Sequence, residues 1–132
     1  DKTCRVAVLW KNGERQELYT PSSDLDSSGA YAVFVSGNDV YVAGYTNTSH
    51  GSRNYTSEDH GVATLWKNGK AQRLSNNDSR ARSIYVSGAD VYVAGYEKNA
   101  RGKNVAVLWK NGVAQRLSDG YYDAEARSIF VK

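Results

Sequence analysis

Arginine, tyrosine and aspartate recur at matching places in related phrases of this sequence, and they are the side chains best placed to do chemistry. AYAVFV (30–35), ARSIYV (81–86) and ARSIFV (126–131) align, so Tyr31, Arg82 and Arg127 share the second place. Asp78 and Asp123 each stand three residues before the aligned Ala81 and Ala126, and Tyr121 and Tyr122 precede Asp123. A guanidinium offers paired donors to a carboxylate or to hydroxyls, while a tyrosine ring supplies a flat apolar face with a polar tip. These seven residues are the expected ligand-binding set, suited to a polar ligand. The competing explanation is local, with Asp capping a turn and Arg pairing beside it at the surface.

Other chemistries find less support. His50, His60, Glu58 and Asp59 fall in one segment, without the ligand spacing of a zinc site. DLDSSG (24–29) imitates the opening of a calcium loop, but its twelfth place is Val35, where a bidentate Glu belongs. A nucleophilic triad needs a positioned histidine, and both histidines sit in a segment that the other repeats lack. The single cysteine, Cys4, rules out an intrachain disulfide and a Cys-based zinc centre, and reads as a solvent-facing thiol because it aligns with His60 and Lys103. No catalytic residue, metal or cofactor is expected. The sequons at Asn47, Asn54 and Asn77 carry little weight in so Asn- and Ser-rich a chain.

The elements that must hold these side chains are strands. With 132 residues, 40% of them hydrophobic and 23% charged, the chain has the composition of one folded domain. Its longest apolar runs fall far short of the roughly 20 residues a membrane helix needs. The net charge of +3 comes from 17 basic and 14 acidic residues scattered among turns, so nucleic acid is not an expected partner. Two phrases repeat: VAVLWKNG, VATLWKNG and VAVLWKNG at 6–13, 62–69 and 105–112, and SGNDVYVAGY and SGADVYVAGY at 36–45 and 87–96. Their unequal spacings trace to a longer loop before the second WKNG phrase than before the third, and a longer loop before the first strand a than before the second.

One repeat reads as four short strands, a to d, at 83–87, 90–96, 105–109 and 114–118. Each is rich in Val, Ile, Tyr, Leu or Trp and ends at Gly, Asn or Asp. Strands a and b meet at SGND or SGAD, and c and d at KNG, where Asn and Gly accept the positive φ of primed hairpin turns. In strand b Val91 and Val93 point one way and Tyr92 and Ala94 the other, so both faces are apolar and both need cover. The tryptophan ending each strand c is the expected packing residue between neighbouring sheets.

The order ARSIYVSGADVYVAGY, VAVLWKNG, AQRL resembles bacterial β-propeller repeats, with copies so alike that the array looks recently amplified. The resemblance covers nearly the whole chain and implies an all-β fold of four-stranded antiparallel up-and-down blades. The expected division is a partial blade of strands c and d (1–20), blades at 31–75 and 82–118, and an isolated strand a at 126–131. Fewer than three blades do not close a ring, so the expected partners are further blades of a longer chain or other copies of this one. The absence of methionine fits a processed or excised piece. A β-trefoil is the alternative, since it too has three repeats of four strands, but its Gln-x-Trp signature is missing.

In an up-and-down blade the a-to-b and c-to-d turns share one end, and the b-to-c and d-to-a loops share the other. All the length variation lies in the second pair, so that end is the expected binding end. The expected function is a non-catalytic binding module for a protein or carbohydrate, located outside the cell, in the periplasm or on the cell surface. A fragment of a propeller hydrolase or lyase and a structural interaction array are the alternatives.

Overall fold

The computed structural model describes residues 5–20, 27–47 and 61–131. Cys4, the DLDSSG aspartates, both histidines and Asn54 lie outside the described residues. Within them the protein is all-β and antiparallel. A hairpin of β1 (Val8–Lys11) and β2 (Glu14–Glu17) is followed by two four-stranded sheets. Sheet one runs β3 (Ser27–Ser36), β4 (Asp39–Asn47), β5 (Val62–Lys67), β6 (Lys70–Arg73), and sheet two runs β7 (Ser79–Ser87), β8 (Asp90–Lys98), β9 (Asn104–Lys110), β10 (Val113–Arg116). Each strand pairs only with its sequence neighbours, the meander expected of strands a to d. The described strands form separate sheets, not the barrel that the trefoil alternative requires.

Turn chemistry places the hairpins. Lys11 pairs with Glu14, Lys67 with Lys70 and Lys110 with Val113, leaving two-residue Asn-Gly loops. Both loop residues have positive φ, 52° and 82° at Asn12 and Gly13, the signature of a type I′ turn whose twist matches the strands. The other hairpins carry Gly37 and Gly88 first in the loop with φ 60°, as a type II′ turn demands. The two turn types are tied together. Asn68 accepts from the Val40 amide and donates to Asp39, and Asn111 does the same with Val91 and Asp90. The Asn of WKNG and the Asp of SGxDV thus clasp across one end of each sheet.

Strand a begins earlier than its apolar pattern does, at Ser27 and Ser79. Both copies slip register just inside, between Ala30 and Ala32 and between Ala81 and Ser83. At that bulge the backbone crowds strand b so closely that a Cβ on Gly44 or Gly95 would stand 1.9 Å from the carbonyl oxygen of Gly29 or Arg80. This explains the glycine of VYVAGY.

Successive sheets are joined by a repeated latch. The Ser28 amide donates to the Arg5 carbonyl and the Ser79 amide to the Gly61 carbonyl, while Ser28 and Ser79 Oγ accept from the amides of Ala7 and Ala63. The core then fills in layers. Val42 and Trp66 face the N-terminal hairpin with Ala7 and Leu18; Tyr41, Ala43 and Leu65 face sheet two with Val93, Val107 and Trp109. The two apolar faces expected of strand b are therefore both used in sheet one. Trp66 and Trp109 are fully buried, and their indole N–H groups meet no acceptor among the described residues, so their side chains are held by apolar contact. Trp10, expected to pack in the same way, is 65% exposed.

The segment 126–131, expected as a further strand a, forms no ladder. It is nevertheless delivered to that place: the Ala124 amide donates to the Asn104 carbonyl, the third instance of the latch, and the Ala126 amide to Gly95. Phe130 lies 5.1 Å from Tyr85, continuing the Phe34 to Tyr85 contact at 4.9 Å. A strand a needs a strand b beside it, and none of the described strands pairs with this segment.

Candidate functional site

The start of strand a and the end of strand b meet at the loop end of each sheet, and antiparallel register decides which side chains they bring together. Gly29 pairs with Tyr45, and Arg80 with Tyr96. Stacking sheet two on sheet one then interleaves them into a row. The Arg80 guanidinium sits 4.0 Å from the Tyr45 ring centre, Tyr45 lies 5.8 Å from Tyr31, and the Arg82 guanidinium sits 4.6 Å from Tyr31 and 5.8 Å from Tyr96. Cations over aromatic faces are attracted by the ring quadrupole, more so where water is excluded.

The row has a closed half and an open half. Tyr45 and Arg80 are 4% and 6% exposed, and Arg80 Nη1 donates to the Ser79 carbonyl at 2.9 Å. Glycines make room for them: a Cβ on Gly29 would meet Tyr45 at 2.5 Å, and one on Gly61 would meet Arg80 Nη1 at 2.5 Å. Tyr31, by contrast, is 44% exposed, and Arg82 and Tyr96 are half-buried. Arg82 Nε is buried yet meets no hydrogen-bond acceptor among the described residues. Arg82 thus lies between two tyrosine rings with one buried donor that no acceptor among the described residues meets.

The other expected residues are spread along the same end. Tyr121 joins a cleft of about 600 Å³ on the rim of sheet two, bounded by Lys98, Arg101, Arg116 and Asp119. The Arg101 guanidinium lies 5.1 Å from the Tyr121 ring, and Asp119 accepts from the Tyr121 amide. Tyr122 is exposed. Asp123 accepts from the Asn104 amide, a structural bond at the start of strand c, and Arg127 pairs with Glu125 at the surface. Asp78 lies in the turn before β7, where its carbonyl accepts from the Lys98 amide. The structure thus brings Tyr31 and Arg82 together, sets Tyr121 in a separate cleft, and gives Asp123 and Arg127 local partners.

Tyr45, Tyr96, Arg80 and Arg101 were missed by sequence reasoning. A signal for the tyrosines was present: they close the VYVAGY phrases, and a hairpin returns that last letter beside the start of strand a. Among the described residues no group of three or more His, Cys, Asp or Glu side chains is arranged to hold a metal ion. No helix of the described residues is long and apolar enough to cross a membrane. The chain matches no protein-family profile and no curated protein sequence.

Proposed function

We propose that this chain is a non-catalytic binding module built of β-propeller-type blades, acting outside the cell, in the periplasm or at the cell surface. Its ligand is a carbohydrate, or a protein's attached glycan, received at the loop end of the sheets. The observation that carries the reading is the Tyr31, Arg82, Tyr96 group. Arg82 Nε is buried with no acceptor among the described residues, beside a tyrosine face open to solvent. A sugar ring fits that combination, because its C–H face stacks on an aromatic ring while its hydroxyls or carboxylate accept from a guanidinium. The blade reading is supported by the meander order of both sheets and by the latch that relates hairpin to sheet one, sheet one to sheet two, and sheet two to the segment at 124–131.

The test is a glycan array that includes uronic-acid and neutral saccharides, followed by titration calorimetry on any hit. Saturable binding is expected, weakened at least about tenfold, or about 1.4 kcal/mol, by Arg82→Ala and by Tyr31→Ala. Circular dichroism should show both variants folded. Binding that survives both substitutions unchanged would place the ligand elsewhere.

A further inference from the structure

One sequence face stands in two environments in this molecule. On β7, Ile84 and Val86 are each 6% exposed, covered by sheet one. Their counterparts on β3, Val33 and Val35, are 55% and 62% exposed, beside the exposed Trp10 and a groove of about 600 Å³ completed by Leu9 and Val40. The opposite face repeats the contrast. Leu74 of sheet one is 8% exposed within the contact between the sheets, whereas Leu117, its counterpart on sheet two, is 52% exposed and Phe130 is 73% exposed. The molecule therefore contains one closed contact between its four-stranded sheets and, at its two ends, an exposed part of each half of that contact, since the N-terminal hairpin covers the Val42 and Trp66 part of sheet one.

We propose that the two open halves bind each other between copies of this chain. The β3 face of one copy, Val33 and Val35 with Trp10, receives the Phe130 and Leu117 face of a second copy. The occupant is a second copy because the chain itself carries the counter-surface, and because the counterparts of the two surfaces, Ile84 and Val86 on one side and Leu74 and Phe34 on the other, already pack in one cluster between sheets one and two. Tyr85 packs between Phe34 and Phe130, so the aromatic series along successive strands a points toward a further member. The contact is head to tail, with different surfaces meeting, so it builds either a closed ring or an open series. It goes beyond the proposed ligand site, which uses the loop end of the sheets.

The experiment is sedimentation analysis of the chain across a concentration series. The expected mass rises above the 14.5 kDa of one chain. Val35→Asp and Phe130→Ser alter exposed side chains and should each hold the chain at one-copy mass with an unchanged far-ultraviolet spectrum. Mixed in equal amounts, the two variants regain a two-chain species, since the Val35→Asp copy keeps its Phe130 face and the Phe130→Ser copy keeps its β3 face. If either variant loses its spectrum, Val33→Lys or Leu117→Asp replaces it. A wild-type chain that stays at one-copy mass throughout, either variant associating by itself as the wild type does, or a mixture that stays single would each overturn the proposal.

Discussion

Arg80 and Arg82 stand two residues apart on β7, each over a tyrosine ring, and they have opposite fates. Arg80 is sealed among Tyr45, Gly61 and its own strand, with a backbone acceptor for Nη1. Arg82 lies over the half-open Tyr31 with a buried Nε that has no acceptor among the described residues. The bulge between Ala81 and Ser83 separates them and reorients the chain at that point. Similar chemistry is thus spent on packing at one end of the row and, under the proposed function, left for a ligand at the other.

The deepest way to break this contrast is beneath it. Gly95→Ala drives a Cβ to 1.9 Å from the Arg80 carbonyl oxygen, contact that backbone cannot yield to cheaply. We expect a loss above about 4 kcal/mol, read as loss of a cooperative urea transition. At the larger scale, the same closed and open contrast separates Trp66 from Trp10. Trp66→Ala should cost about 3–5 kcal/mol through the cavity it leaves, whereas Trp10→Ala should stay within about 0.5 kcal/mol at concentrations where the chain is single. Equal midpoints for the two variants would contradict the layered core.

Smaller effects sharpen the row itself. Gly61→Ala overpacks the Arg80 and Tyr45 contact and should destabilise by about 1–3 kcal/mol in chemical denaturation, without touching Tyr31. Asn68→Ala removes both bonds of the clasp to Val40 and Asp39, and about 1–2 kcal/mol is expected from the freed turn. Arg82→Ala should change stability least, by under about 0.5 kcal/mol, while weakening the proposed ligand most. A large stability loss there would mean that Arg82 is packing, as Arg80 is.

Hairpins, strand order and the end at which loops vary were legible in the phrases. The Asn-Gly turns work because positive φ is a property of two adjacent residues, and Lys11 to Glu14 pairs as Lys67 to Lys70 does. The site was legible in part. Alignment of the strand starts marked Tyr31 and Arg82, which the fold brings together, but Asp123 and Arg127 share that alignment and met local partners instead. Arg101 lies in a stretch with no counterpart phrase to mark it. The early starts of β3 and β7 were hidden because their first residues are polar serines, and the burial of Ser28 and Ser79 comes with the latch to the preceding repeat.

What the residues settle by themselves is each hairpin's turn and the need of strand b for cover on both faces, since both follow from a few neighbouring side chains. Which copy of a phrase obtains that cover was decided only by stacking. Trp10 and Trp66 sit in nearly the same eight letters, one 65% exposed and the other fully buried, because burial depends on a surface contributed from far along the chain.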